Sequence, residues 1–97
     1  MRYEIVLSPR AVEDLRRLDA RTRAAVRDAL ETHLRFEPTR VSRSRIKRLR
    51  GLVQPQYRLR VDDIRVFYDV VNEDVEILAI LFKPKVEEWL KEVGKPL

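Results

Sequence analysis

Residues 56–82 read QYRLRVDDIRVFYDVVNEDVEILAILF, and this stretch decides the fold. Its first six residues alternate strictly. Tyr57, Leu59 and Val61 fall on one side and Gln56, Arg58 and Arg60 on the other, the two-residue period of a half-buried strand. Asp62-Asp63 then reads as a turn, IRVFYDVV (64–71) as a second strand, Asn72-Glu73-Asp74 as a second turn and VEILAILF (75–82) as a third strand. Runs rich in β-branched and aromatic residues, joined by turns this short, make an antiparallel meander.

Upstream lies TRVSRSRIKRLRGLV (39–53), which has no clean period and contains Gly51; it reads as a basic loop with at most one helical turn. Before it are two helical patterns. Ser8 is a good N-cap and Pro9 sits at the first helical position, where its missing N–H costs nothing. Ala11, Val12, Leu15 and Leu18 follow at spacings of three and four. Asp19 can cap a second helix with Ala25, Val26, Ala29, Leu30, His33 and Leu34 down one side, ending before Pro38. The β-rich run RYEIVL (2–7) supplies an N-terminal strand, and the tail from Pro84 to Leu97 a Pro-started helix bearing Val86, Trp89, Leu90 and Val93. The expected order is β-α-α-β-β-β-α. This is an α+β fold: an antiparallel sheet of about four strands, an N-terminal two-helix hairpin on one face and a short C-terminal helix, the other face open to solvent or ligand.

A chain of 97 residues without linker or low-complexity tract reads as one domain, 1–97. Cysteine is absent, so no disulfide forms, which fits a cytoplasmic location; with His33 the only histidine, an ordinary zinc site is excluded and no cofactor is expected. The N-terminal apolar run is too short for a signal peptide and nothing approaches a membrane span, so a soluble protein with no membrane partner is expected. The net charge of +5 and a pI of about 10.0 point to an anionic partner. The distribution says more than the total. Eight basic residues (Arg40, Arg43, Arg45, Lys47, Arg48, Arg50, Arg58, Arg60) lie between Arg40 and Val61 without one acid. Solvated surfaces mix both signs, so a one-sign block is a candidate polyanion footprint.

Alternation puts Arg58 and Arg60 on one face of their strand, and Arg65 follows a tight turn on the next. These arginines are either a solvated strand face or, if Arg65 shares it, a cluster whose repulsion a polyanion would relieve. RNA cleavage by the 2′-hydroxyl needs a base for that hydroxyl, positive charge on the phosphorane and an acid for the leaving 5′-oxygen. Arginine suits the second role through its bidentate donors, and a crowded lysine could act as base. His33, at core spacing beside Leu34, reads as structural.

The segment KRLRGLVQPQYRLRVDDIRVFYDVV (47–71), taken with the element order, resembles the RelE/ParE toxin superfamily. The matching features are the Leu49-Arg50-Gly51 step, the strand Tyr57-Arg58-Leu59-Arg60 and the strand Arg65-Val66-Phe67-Tyr68, and the likeness runs from residue 3 to about 90. The resemblance implies a RelE-like fold and the toxin of a type II toxin–antitoxin pair. It further implies a ribosome-dependent, metal-independent mRNA endoribonuclease that inhibits translation and is held in a hetero-oligomer by a RelB-like cognate antitoxin. By position, Arg58 and Arg60 match basic residues that contact RNA and supply proton transfer in RelE-type enzymes, and Arg65 matches the arginine on the scissile phosphate. Two departures stand out. Arginine replaces the lysines often found on that strand, and arginine scarcely deprotonates. The C-terminal stretch Lys83-Pro84-Lys85-Val86-Glu87-Glu88-Trp89 lacks the catalytic tyrosine of the best-studied members, so Lys83 and Lys85 become the candidates for proton transfer. Arg43, Arg45, Lys47, Arg48 and Arg50 are expected to bind RNA, and Trp89 either stacks on a base or anchors the last helix. The competing functions are a weakened member that only binds its antitoxin and a ParE-like gyrase inhibitor.

Overall fold

Strand β1 (Glu4–Leu7) leads through the N-cap Ser8 into α1 (Pro9–Arg17), a helix that begins because the Ser8 hydroxyl accepts the Ala11 N–H at 3.0 Å. The chain is described over residues 1–97 by a computed structural model. Asp19 caps α2 (Ala20–Leu34) in the same way, taking the Thr22 N–H at 2.8 Å, which holds the Asp19 carboxyl below its ordinary pKa. Arg23 ties the two helices together by donating to the Leu15, Arg16 and Leu18 carbonyls at the end of α1. The helices nevertheless diverge. A cleft of about 790 Å³ lies between them over β1, so they form a looser pair than the expected hairpin.

The next segment departs from its reading as a basic loop with a helical turn. It contains β2 (Ile46–Arg48) and β3 (Leu52–Gln54), with Gly51 at φ +75° between them. A side chain at that φ would be strained, which is why the Leu49-Arg50-Gly51 step ends in glycine. The meander then follows as read: β4 (Tyr57–Val61), β5 (Ile64–Val71) and β6 (Asp74–Phe82). Asp62 (φ 51°) and Asn72 (φ 55°) open its two tight turns, being residue types that tolerate left-handed backbone. A 3₁₀ turn (Lys83–Lys85) precedes α3 (Val86–Val93), and a short β7 (Lys95–Pro96) pairs with β3.

The main sheet has five strands, not four, in the order β1-β6-β5-β4-β2. Nor is it wholly antiparallel: the two helices carry the chain from β1 to β2 at the opposite edge, and the meander returns β6 to lie parallel to β1. Where β1 ends, the open edge of β6 is closed by side chains: the Ser8 hydroxyl donates to the Leu78 carbonyl, and Asp14 accepts the Ile80 N–H at 2.9 Å.

Two cores lie on the two faces of this sheet. The larger joins α1 and α2 to Leu59, Val61, Ile64, Val66, Tyr68, Val75, Ile77 and Ile80. The smaller gathers Phe67, Ala79, Leu81 and Trp89 on the far face under α3. A β-bulge in β6 explains the division. Phe67 pairs with Ala79 but Tyr68 pairs with Ile77, so Leu78 is extra and the alternation flips. The far face is therefore not open along its whole length as expected: α3 covers the β5–β6 half and leaves the β2–β4 half bare.

Candidate nucleic-acid interface

Register fixes which basic residues meet on the bare half. Arg58 lies between Lys47 on β2 and Phe67 on β5, and Arg60 lies directly opposite Arg65. Arg58, Arg60 and Arg65 therefore share the face opposite the main core, which settles the geometric condition left open by the sequence. None of these side chains, nor Arg43, Arg45, Lys47, Arg48 or Arg50, forms an ion pair; the six ion pairs of the chain all lie elsewhere.

Arg58 carries the cost of this arrangement. Its Nε is buried with no hydrogen-bond partner. Desolvation, then repulsion from Arg65 and from Arg60, pushes its pKa below the ordinary arginine value. Arg65 is more enclosed still, 8% exposed, and its Nη1 donates to the Asp62 carbonyl at 2.7 Å and the Ile64 carbonyl at 3.0 Å. It grips the β4–β5 turn through backbone oxygens rather than through Asp62, Asp63 or Asp69 carboxylates, and so has no counter-ion beside Arg58.

The other expected site residues divide. Arg48 stands over the Tyr57 ring, 5.2 Å from its centroid, and donates to the Gln56 carbonyl. Arg48, paired with Tyr57 across the ladder, thus lies on the helix side of the sheet, where Tyr57 stacks on Tyr68 at 5.5 Å, and does not join the arginine face. Arg43 and Arg50 are exposed on the loops flanking β2. Lys83 is exposed at the end of β6, its N–H bonded to the Asp63 carbonyl at 2.8 Å, beside the β4–β5 turn. Lys85 does not join the arginines. It lines a cleft with Arg10, Asp14 and Arg17 of α1 and Glu88 of α3, at the β6 edge, with β5 and β6 between it and Arg58. Trp89 is 8% exposed and packs on Phe67 with ring centroids 5.0 Å apart, so it anchors α3 and is not free to stack on a base. His33 is half-buried and lines a surface cleft with Arg45 instead of joining the core.

One residue of the site was missed. Asp69, 4% exposed, accepts from Gln54 Nε2 at 2.5 Å and from the Gln56 N–H at 2.8 Å, while Gln56 Oε1 accepts the Val70 N–H. This network fixes the Gln54–Gln56 turn and with it the entry of the Arg58 strand. The signal was present: an acid at a position that alternation places beside Phe67 on the far face needs buried partners.

A family model described as the ParE toxin of the type II toxin–antitoxin system parDE matches residues 5–83. Among solved structures, the toxin–antitoxin complex RelBE2 from Mycobacterium tuberculosis aligns with a TM-score of 0.72 at 27% identity, over 84% of this chain and 99% of that one. The RelE–RelB complex from Pyrococcus horikoshii OT3 aligns at 0.64 and 26%, over 86% and 97% respectively. A mutant of E. coli toxin RelE in the free state aligns at 0.68 over 95% and 94%, and at 24% identity speaks to the fold alone. No curated protein matches the chain in sequence. Fold and family match together define a toxin of a type II toxin–antitoxin system. The chain belongs to the ParE toxin family, within the RelE/ParE superfamily.

Proposed function

We propose that this toxin binds and cuts mRNA on the ribosome, and that a RelB-like acidic antitoxin covers the same face. The observation that carries the reading is the buried, partnerless Nε of Arg58, beside Arg60 and Arg65, with no carboxylate paired to any of them. A fold gains nothing from such a cluster, whereas a phosphate supplies both the missing acceptor and the missing counter-charge. In cleavage, the RNA 2′-hydroxyl gives up its proton and attacks the adjacent phosphorus, the P–O5′ bond breaks, the leaving 5′-oxygen takes up a proton, and a 2′,3′-cyclic phosphate remains on the upstream fragment. Arg58, Arg60 and Arg65 would bear on the non-bridging oxygens as charge builds there. Lys47, across from Arg58 on β2, is the amine nearest that cluster by register and adds its charge to the phosphate site, while Lys85 stands at the other edge of the sheet. Solved relatives are complexes with antitoxins of the RelB and YefM types, which supports the partner assignment.

A second reading has its own support. The matching family model is that of a ParE toxin, and the arginine face lacks a tyrosine or histidine for proton transfer. That combination suits a toxin acting by binding alone, on gyrase or on its antitoxin. Primer extension on translated mRNA after induction separates the readings. Codon-positioned cuts that vanish in Arg58→Met support the nuclease; intact mRNA with inhibited supercoiling supports the gyrase inhibitor.

A further inference from the structure

Beyond the end of α2, a second cleft of about 560 Å³ opens between the last helical turn and the chain leading into β2. It lies on the helix side of the sheet, across the β2 edge from the arginine face: Ile46 of its lining faces the main core, and the Arg45 carbonyl accepts the Arg60 N–H at 2.9 Å while the Arg45 side chain lines the cleft beside His33. Its volume falls in the ordinary range for small-ligand sites. Three features of the lining stand out. Phe36, 61% exposed, offers a bare ring where the fold gains nothing from one. Arg45 has no carboxylate partner, whereas neighbouring Arg40 is paired with Glu37 at 2.7 Å. Ser42 Oγ accepts the Arg45 and Ile46 N–H groups at 3.0 and 3.1 Å, which leaves its own O–H to donate. An aromatic platform beside a free guanidinium and a hydroxyl donor is the recognition chemistry of a nucleotide, base on ring and phosphate on cation.

We infer that this cleft holds one nucleotide of single-stranded RNA, with its base on Phe36 and its phosphate on Arg45 and Ser42, further along the same strand than the phosphate at Arg58 and Arg60. The inference rests on the proposed RNA reading and extends its track around the β2 edge. His33 suits the role. Burial, then the Arg45 charge, lowers its pKa from the ordinary value, so it meets the base as a neutral imidazole that can donate and accept.

The test uses the intact toxin, Phe36→Ala and Arg58→Met, with three- and six-nucleotide single-stranded RNAs, uridine monophosphate, inorganic phosphate and an acidic peptide. Phe36 is exposed, so its replacement should leave the melting curve unchanged. Phe36→Ala should weaken the six-nucleotide RNA about tenfold, within the range of base–aromatic stacking, and leave the three-nucleotide RNA unchanged. Uridine monophosphate should shift the NMR signals of His33 and Phe36 where inorganic phosphate does not. Equal binding of the six-nucleotide RNA by wild type and Phe36→Ala overturns the subsite, as does phosphate reproducing the nucleotide shifts or the acidic peptide alone producing them. If Arg58→Met still reduces RNA binding in those cases, only the subsite has failed. If wild type binds neither RNA, the RNA reading and the subsite fall together.

Discussion

Replacing Arg58 by methionine should make the protein more stable and less active. Methionine keeps an unbranched stem of similar reach and removes both the charge and the buried Nε that has no partner. A buried unsatisfied donor costs about 1–3 kcal/mol. Arg58 is only half-buried, so solvent screens part of its repulsion with Arg60 and Arg65, and the low end of that range applies, about 1 kcal/mol. In a domain of this size that corresponds to a rise in Tm of about 4–8 °C. Thermal unfolding followed by circular dichroism checks the rise at low salt, and the gain should shrink at high salt as the remaining repulsion is screened. The same variant should lose mRNA cleavage, the signature of a site kept at the expense of stability. A fall in Tm would refute the reasoning, because Arg58 would then be contributing packing or bonding to the fold and the cluster would need no anion to explain it.

Burial raises the pKa of the Tyr68 phenol, whose O–H donates to the Pro38 carbonyl at 2.6 Å. Its stabilising contribution is therefore complete below about pH 10, the unfolded value, and is lost as pH rises further, since only the unfolded chain gives up the proton. Tyr68→Phe should flatten that alkaline loss and cost about 1–3 kcal/mol at neutral pH through the orphaned carbonyl; urea titrations at pH 7 and 11 measure both, and an unchanged alkaline slope counts against the assignment. Trp89→Ala should cost about 3–5 kcal/mol by emptying the small core against Phe67, with Trp89→Phe recovering much of it; a loss below about 1 kcal/mol would mean α3 is not anchored there. Arg65→Ala, which removes two bonds to the β4–β5 turn while relieving repulsion on Arg58, should abolish cleavage with the protein still folded. Full toxicity of that variant takes Arg65 out of the site. Association with an acidic antitoxin segment that folds on binding should slow with added salt, mainly through the on-rate, and stopped-flow rates indifferent to salt would exclude charge steering.

Local physics made much of this protein legible in its sequence. Ser8 and Asp19 announced the helix starts because capping is a matter of four consecutive residues. Period-two alternation put Arg58 and Arg60 on the face opposite Leu59, and the acid-free run from Arg40 to Val61 marked the basic surface. What lay out of reach depended on pairing between distant segments. Nothing in VEILAILF reveals that Leu78 is extra, yet that single residue sends Ala79 and Leu81 to the far face, where Trp89 can cover them. Strand β2 is too short and too basic to show a period, and becomes a strand only because β4 offers its free edge. The same pairing decided the site. Arg60 meets Arg65 through a register set by the Asp62-Asp63 turn, and Lys85, close to Lys83 in sequence, is carried by the 3₁₀ turn to the opposite edge against α1. Charge and periodicity are properties of neighbouring residues, whereas register, bulge and edge are properties of chains brought together, and only the tertiary structure supplies them.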